Sequence, residues 1–186
     1  LATDWMKLLK KYDKTWSPCQ FGKSSSSIQH IDYLGYSLSN SLIIHGNYID
    51  EKDVEILQEW HNIAVVHCPG SFNFFSHELF PYEVYKDNGI KIALGTDSIS
   101  SNSTLNMLHE IRLFVKSQPN IGFNELIEMC TINACKAIGL RNTGMIGCGF
   151  DADIIGFNAC KASNILEVLQ TRDHVDFLMV KGSVKL

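Results

Sequence analysis

Long apolar runs and long basic runs are both absent from this sequence of 186 residues. No apolar stretch approaches the ~18–20 residues that a helix needs to cross a membrane. No basic run exceeds two residues, and the net charge is −4. Because nucleic-acid binding depends on clustered positive charge, we expect neither a nucleic acid nor a membrane among the partners of this protein.

Paired-cysteine motifs are also absent. The six cysteines occupy positions 19, 68, 130, 135, 148 and 160, and no two of them form a C-x-x-C pair. This spacing matches neither a zinc ribbon nor the disulfide framework of a small secreted domain. We therefore expect free, buried thiols and a cytoplasmic protein.

The sequence does contain a repeated strand–loop–helix pattern within an ordinary globular composition, 45% hydrophobic and 19% charged. Three apolar runs each lead toward a helical pattern: SLIIHG (41–46), IAVVHCP (63–69) and IKIALGTDS (90–98). Asp50 is the expected N-cap of the first helix, a weaker helix is expected near 80–88, and the third, within 103–117, carries Leu105 and Leu108 at helical spacing. The repetition predicts parallel βα units in an α/β fold, with apolar strands covered on both faces.

Shorter patterns precede and follow these units. Residues 4–14 have the periodicity of an amphipathic helix, and Ser27 is the expected cap of a short helix that follows it. The segment between 69 and 80 is predicted to be a long loop. Asn133 is expected to cap a short helix, ACKAIG, near the end of this α/β part.

The character of the sequence changes near Thr143. Beyond it the chain is glycine-punctuated and rich in β-forming residues, as in GMIGCGFDADIIGF and VDFLMVKGSVKL, with little helical period. We therefore predict two parts, an α/β part over 1–142 and a β-rich tail over 143–186.

Each of the three apolar runs ends at a residue whose side chain can act as a metal ligand or in acid–base chemistry: His45, His67 and Asp97. Because the carboxyl ends of parallel strands meet at one face, the three groups are expected to share a crevice. Imidazole nitrogen and carboxylate oxygen suit zinc and related divalent ions. Taken singly, such a histidine is more commonly a hydrogen-bonded structural residue, and such an aspartate a helix cap or turn residue.

The motifs LIIHGNYID, VVHCPGS and ALGTDS resemble the carboxyl-terminal half of the amidohydrolase superfamily, in the branch of the chlorohydrolases and nucleoside or nucleobase deaminases. The likeness continues through NMLHEIRLF, MCTINACKAIGL and TGMIGCGFDADIIGF, so that it spans roughly residues 41–183. The family fold is a (β/α)8 barrel with a metal in its mouth and a small β-sandwich. The resemblance thus implies a divalent metal ion, zinc or alternatively iron or manganese.

The resemblance also implies roles for individual residues. Asp97 matches the aspartate that binds the metal and moves the proton of the attacking water. His45 matches the histidine that orients the water or the substrate, and His67 matches a histidine near the substrate. Asn73 and His77 lie in the loop after the second strand and are candidates for substrate contact.

Other residues near these motifs have less specific interpretations. Aromatic residues follow the second strand, and they either stack on a heterocyclic ring or pack beneath the barrel rim: Phe72, Phe74, Phe75 and Phe80. His109 and Glu110, in the helix after Asp97, are expected to be structural or exposed.

Two family motifs have no counterpart here. The histidines occupy positions 30, 45, 61, 67, 77, 109 and 174, so neither the H-x-H pair nor the His-x-x-Glu motif is present. In addition, Phe72 stands where many relatives carry asparagine. Because a complete barrel takes ~250 residues, we interpret the chain as the carboxyl-terminal portion of such an enzyme, with barrel units six to eight and the tail, and inactive by itself.

The predicted function is therefore metal-dependent hydrolysis of a C–N bond in a small heterocycle. The favoured reaction is deamination of an aminopurine nucleoside-like compound of the aminodeoxyfutalosine, S-adenosylhomocysteine or methylthioadenosine type, and among these the family resemblance favours aminodeoxyfutalosine. Hydrolysis of a cyclic amide is a second possibility. The alternative from another class is a non-catalytic half-barrel remnant, whose open sheet edges serve packing or partner binding. A homodimer is compatible with either.

Overall fold

The computed structural model of the protein describes residues 26–37, 39–158 and 164–186. The helices within these ranges are α1 (Ser27–Tyr33), α2 (Glu51–Glu59), α3 (Pro69–Phe74), α4 (Tyr82–Asp87), α5 (Met107–Ser117), α6 (Phe123–Cys130), α7 (Ile132–Ala137) and α8 (Ile165–Thr171). The strands are β1 (Leu42–Ile44), β2 (Ala64–His67), β3 (Lys91–Leu94), β4 (Ile154–Gly156), β5 (Phe177–Val180) and β6 (Ser183–Val184). The helix predicted at 4–14 lies outside the described residues.

The first three strands form a parallel sheet in the order β1-β2-β3. Ile44 of β1 pairs with Val66 of β2, which pairs with Ala93 of β3. Helix α2 connects the first two strands, and helices α3 and α4 connect the second pair, so all three strands point the same way. The predicted succession of parallel βα units is confirmed.

The hydrophobic core lies between this sheet and the helices that cover one of its faces. Val65 of β2 and Ile92 of β3 join Leu57, Tyr85 and Phe114 from three helices in one buried cluster. The strands are apolar and β-branched because they sit against this helix layer.

The opposite face of the sheet is covered less completely by the described residues. Ile44 is 50% exposed, and Val66 is only half-buried. Ala93, on the same face, is buried, so the burial of both faces that the apolar strands predict is only partly achieved on this side among those residues.

Helix α2 begins as predicted, at Asp50. The Asp50 carboxylate accepts a hydrogen bond from the Asp53 amide at 3.0 Å. In return, the Asp53 carboxylate accepts from the Asp50 amide at 2.9 Å, and this reciprocal capping box satisfies donors that the first turn leaves free. The hydroxyl of Ser26 also donates to Asp53, which ties the start of α1 to α2.

Two of the predicted caps are wrong. Ser26, not Ser27, caps α1, since its hydroxyl accepts from the Gln29 amide at 3.1 Å. Asn133 lies inside α7, where its side chain donates to the Ile92 carbonyl at 3.2 Å. That contact fastens α7 to β3, which is a tertiary role that the local sequence does not reveal.

The loop predicted after β2 contains a helix. Pro69 occupies the first turn of α3, where the fixed φ of proline suits a helix start and its missing N–H costs nothing. The third predicted helix is shorter than expected, because Asn106 caps α5 and Leu105 lies before it.

The end of the described chain forms a second sheet, antiparallel, in the order β4-β5-β6. Helix α8, which the sequence analysis did not predict, packs against α5. Arg112 of α5 fixes this junction, since its guanidinium donates to the Arg172 carbonyl at 2.7 Å and to the Asp173 carboxylate at 2.7 Å. The division at 142/143 stays a prediction.

The described cysteines are free, as predicted, but the expected burial holds fully only for Cys68, since Cys130 and Cys135 are half-buried and Cys148 is exposed. Burial raises the pKa of the Cys68 thiol to about 11 and that of Cys130 to about 12, so both thiols are protonated at neutral pH. Among the described helices, none is both long and apolar enough to cross a membrane.

The position at which α5 begins can be tested by replacing each of two leucines, separately, with alanine. Leu108 is 7% exposed and Leu105 is 59% exposed, although the sequence pattern places both on one helix face. Leu108→Ala should lower the free energy of unfolding by ~2–5 kcal/mol because it leaves a cavity in the core. Leu105→Ala should change it by less than ~0.5 kcal/mol. Urea denaturation measures both, and equal losses would contradict this start of the helix.

Candidate active site

The ends of β1 and β3 bring two of the predicted site residues together. The His45 amide donates to the Val66 carbonyl at 2.9 Å, and the Gly95 amide donates to the His67 carbonyl at 2.9 Å, so the strand ladder continues into both loops. Beyond it, Nε2 of His45 lies 3.8 Å from Oδ2 of Asp97, with the two side chains 41% and 29% exposed. The imidazole and the carboxylate thus face one solvent-accessible space.

Both residues adopt a backbone conformation that is uncommon for a residue with a side chain. The φ angle is 72° at His45 and 55° at Asp97. For a non-glycine residue this left-handed region costs on the order of 1–2 kcal/mol, and such residues cluster at functional sites. Contacts around each loop must offset that cost.

Asp97 is held by two hydroxyl groups. The Ser71 hydroxyl donates to Oδ2 at 2.7 Å, and the Ser101 hydroxyl donates to the same oxygen at 3.0 Å. The hydrogen bond from Ser71, aided by that from Ser101 and by the nearby His45 imidazole, lowers the pKa of Asp97 below its usual range. The carboxylate is therefore ionised at neutral pH, and both hydroxyl contacts leave Oδ1 to other partners.

A buried tyrosine holds the loop that carries His45. The hydroxyl of Tyr85, from α4, donates to the Gly46 carbonyl at 2.7 Å. A Cβ atom at Gly46 would lie 2.5 Å from the Tyr85 hydroxyl oxygen, and Gly46 itself has a φ of 54°. Glycine is required here both by the backbone angle and by this close approach.

His67 is buried away from the pair formed by His45 and Asp97. It is 2% exposed, and its ring stacks on Phe80 with 3.8 Å between centroids. The rings of Phe72 and Phe114 meet it edge-on. Burial, with a smaller contribution from the charge of His45, lowers the pKa of His67 to about 3.

The difference between the two histidines lies in the backbone. Because Ile44 pairs with Val66, His45 and His67 are the next residues along the two strands and occupy equivalent positions. His67 continues the strand and lies in the aromatic core, whereas the left-handed turn at His45 leaves that side chain beside Asp97. Substrate contact by His67 stays a prediction, and the structure gives this residue a packing role.

The remaining candidates lie on the rim. His77 Nδ1 lies 2.8 Å from the Tyr48 hydroxyl, and this contact joins the loop after β1 to the loop after α3. Asn73 is exposed. Of the aromatic run, Phe74 and Phe75 are 61% and 48% exposed, whereas Phe80 packs beneath the rim.

Sequence reasoning missed the residues that hold Asp97. Ser71 and Ser101 were not singled out, although both are polar residues within a few positions of a predicted strand end. Glu110 was expected to be structural or exposed; it is fully buried, and it accepts a hydrogen bond from the Gly70 amide at 2.7 Å.

A metal ion would find a partial set of ligands here. Within 26–37, 39–158 and 164–186, no three or more His, Cys, Asp or Glu side chains cluster closely enough to hold one. The ionised carboxylate of Asp97 suits zinc as one ligand, because its Oδ1 is not taken by the two serine hydroxyls. The described donor set therefore fits part of a metal site.

A protein-family model described as the amidohydrolase family matches residues 10–185. The chain belongs to the amidohydrolase family. The family membership inferred from three short motifs is thus confirmed.

Curated relatives of this amidohydrolase include 5-methylthioadenosine/S-adenosylhomocysteine deaminases. The one from Pyrococcus furiosus is 35% identical over 137 residues, which cover 70% of this chain and 32% of the relative. Another from Archaeoglobus fulgidus is 29% identical over 173 residues, which cover 84% of this chain and 40% of the relative. The chain spans about a third of the length of the curated relatives it matches.

Solved structures share the fold. An adenosine deaminase from Xanthomonas campestris with bound zinc superposes with a TM-score of 0.77 at 21% identity, over 90% of this chain and 41% of that chain. An aminofutalosine deaminase from Helicobacter pylori in complex with methylthio-coformycin gives 0.76 at 24% identity, over 97% and 45%. The zinc complex of atrazine chlorohydrolase TrzN from Arthrobacter aurescens gives 0.73 at 21%, over 84% and 38%.

Protonation of His67 is expected to destabilise the fold in acid. The pKa of this imidazole is about 3 in the folded protein, compared with 6.5 for an unperturbed histidine. Between these values the unfolded chain binds more protons, so the free energy of unfolding falls as the pH decreases from 6.5 toward 3. This group contributes a slope of up to ~1.4 kcal/mol per pH unit. Urea titrations between pH 7 and pH 5 measure that slope.

Two histidine variants isolate the effect. His67→Gln removes the titrating group and should flatten the dependence on pH in this window. His61→Gln makes the same replacement at an exposed position and should keep the wild-type slope. A wild-type slope in His67→Gln would contradict the burial of a neutral imidazole.

Proposed function

We propose that this chain is the carboxyl-terminal portion of a metal-dependent hydrolase that deaminates an aminopurine nucleoside-like substrate. The observation that carries the proposal is the juxtaposition of His45 Nε2 and Asp97 Oδ2 at 3.8 Å, at the carboxyl ends of parallel strands. Sequence similarity to enzymes named as 5-methylthioadenosine/S-adenosylhomocysteine deaminases supports the reaction type.

Asp97 is suited to move a proton during such a reaction. In hydrolytic deamination, water adds to the ring carbon and ammonia leaves, so a proton must pass from the water to the departing nitrogen. Hydrogen bonds from Ser71 and Ser101 keep the carboxylate ionised, and it is therefore ready to accept that proton. Both hydroxyls bind Oδ2, so they hold the carboxylate in one orientation for that exchange.

His45 acts from the end of β1, which β2 separates from β3 in the sheet. Its Nε2 lies beside the carboxylate, in reach of the same water or of a polar atom on the substrate. The fixed backbone turn at His45, supported by the Tyr85 hydroxyl on Gly46, presets the position of the imidazole before substrate binds. Preset donors of this kind stabilise the charge that develops in the transition state.

One divalent metal ion completes the proposed site. Asp97 would hold it through a carboxylate oxygen, and the other ligands would come from outside the described residues. When bound, such an ion acts as a Lewis acid that lowers the pKa of water to ~7. Zinc is the favoured metal, with iron and manganese as alternatives, because the nitrogen and carboxylate donors of this family suit all three.

The rim provides a surface for a flat heterocycle. Tyr48 and His77 bridge the loop after β1 and the loop after α3, and the exposed ring of Phe75 lies 6.1 Å from that of His77. Aromatic faces of this kind stack on purines, and Asn73 offers an amide to ring or sugar polar atoms. We favour a methylthioadenosine or S-adenosylhomocysteine type of substrate over aminodeoxyfutalosine, since the sequence relatives carry the first two names.

The wider architecture follows from the same proposal. The parallel sheet would form units six to eight of a (β/α)8 barrel within residues 1–142, and the antiparallel sheet would belong to a β-sandwich within 143–186. Closure of the barrel would cover the sheet face on which Ile44 is half-exposed. We expect the enzyme to be cytoplasmic, and a homodimer is compatible with this arrangement.

Replacement of the central carboxylate tests the mechanism. Asp97→Asn in the full-length gene product should lower turnover by at least ~100-fold, because an amide cannot accept the proton from water. Ammonia release from methylthioadenosine measures turnover, with circular dichroism to verify folding.

Asp87→Asn is the matched control, because it removes the same charge at an exposed residue of α4 and should retain wild-type turnover. A folded Asp97→Asn variant with turnover near that of the wild type would refute the role of Asp97. A full-length protein that releases no ammonia from any aminopurine nucleoside would favour the non-catalytic alternative.

A further inference from the structure

A buried carboxylate contacts the two segments that carry Ser71 and Asp97 of the candidate site. Glu110, in the first turn of α5, is 0% exposed. Its Oε2 accepts a hydrogen bond from the Gly70 amide at 2.7 Å, and its Oε1 accepts one from the Asn102 side-chain amide at 2.7 Å. Each carboxylate oxygen therefore holds a different segment: Oε2 holds the first turn of α3, which follows β2, and Oε1 holds the loop after β3.

Each of the two segments that Glu110 holds is connected in turn to Asp97. Gly70 directly precedes Ser71, whose hydroxyl donates to Asp97 Oδ2. The amide of Asn102 also donates to the Thr96 carbonyl at 2.8 Å, and Thr96 directly precedes Asp97. Both amide hydrogens of Asn102 are thus used, one on Glu110 and one on the backbone next to the catalytic candidate.

The packing around this group leaves no space for adjustment. A Cβ atom at Gly70 would lie 2.3 Å from Asn102 Nδ2 and 2.5 Å from its Cγ. The side-chain amide therefore rests directly against the α-carbon of Gly70. Close packing of this kind fixes the start of α3 against the loop after β3, since a shift of either segment would bring Gly70 and Asn102 into collision.

We propose that Glu110 is a positioning residue that sets the geometry of Asp97 by fastening the start of α3 and the loop after β3 to α5. Asp97 has a left-handed backbone with a φ of 55°, and such a conformation persists only where surrounding contacts over-determine it. A neutral glutamine would fill the same volume, but it offers one acceptor and would direct its NH2 group at a second donor. The site needs two acceptors, which explains a carboxylate in a fully buried position.

The test compares two buried carboxylates. Glu110→Gln removes one acceptor beneath the candidate site. Asp53→Asn makes the equivalent change at the other buried carboxylate of the described core, which is also 0% exposed but belongs to the capping box of α2. Hydrogen–deuterium exchange of the full-length protein, followed by mass spectrometry, reports the local opening of each region without any need for turnover.

In Glu110→Gln, peptides that cover 95–102 should exchange at least ~10-fold faster than in the wild type, because the tether of the loop is lost. In Asp53→Asn the same peptides should exchange at the wild-type rate, with faster exchange confined to the start of α2. Unchanged exchange at 95–102 in Glu110→Gln would overturn the proposal. So would an equal increase in both variants, which would indicate a loss of global stability.

A kinetic comparison adds the functional consequence, and it rests on the proposed deaminase activity. Glu110→Gln should lower kcat by ~10–100-fold with KM within ~3-fold, because misplacement of Asp97 affects the reaction more than binding. Asp53→Asn should leave kcat within ~2-fold of the wild type. A wild-type protein without turnover would refute the proposed function, while the exchange data would still decide the positioning role.

A second variant tests the same proposal if Glu110→Gln does not fold. Asn102→Ala keeps the carboxylate and its bond to Gly70, and it removes the side-chain amide that links Glu110 to the Thr96 carbonyl. Peptides that cover 95–102 should again exchange faster than in the wild type, whereas α2 should be unaffected. Wild-type exchange over 95–102 in Asn102→Ala would overturn the proposal.

Discussion

The hydrogen bond from the Ser71 hydroxyl to Asp97 is the contact on which the candidate site depends. It crosses from helix α3, which follows β2, to the loop after β3, and it lowers the pKa of the carboxylate more than any other interaction does. The parallel sheet places these two segments side by side, and Glu110 of α5 holds both. The lowered pKa and the position of Asp97 thus have a common origin in the pairing of β2 with β3.

The sequence predicted the framework because the framework is periodic. Apolar strands and helical spacing identified three parallel units, and the strand ends identified His45 and Asp97, which the structure brings together. The same reasoning placed His67 in the shared crevice, although it lies among aromatic rings. Strand ends alone do not distinguish the two histidines, since the left-handed backbone at His45 depends on tertiary contacts such as that between Tyr85 and Gly46.

The parts that were not predicted depend on contacts between residues distant in sequence. Ser71 and Asp97 are separated by 26 positions, and Glu110 and Gly70 by 40, so no local pattern reveals either pair. The cap of α1 is Ser26 and not the predicted Ser27, because adjacent serines have the same local propensity to cap a helix. Membership in the amidohydrolase family explains the arrangement of motifs, while the individual contacts had to be read from the structure.

A sheet with one well-covered face and a partial set of metal ligands is consistent with a chain that spans about a third of its curated relatives. In the proposed mechanism, Asp97 and His45 serve a single cation. Anomalous diffraction at the zinc edge from crystals of the zinc-loaded, full-length protein measures the position of that cation directly. The account predicts one peak within ~2.0–2.2 Å of an Asp97 carboxylate oxygen, with the His45 imidazole facing the same space. A zinc peak remote from Asp97, or a carboxylate turned away from the metal, would contradict it.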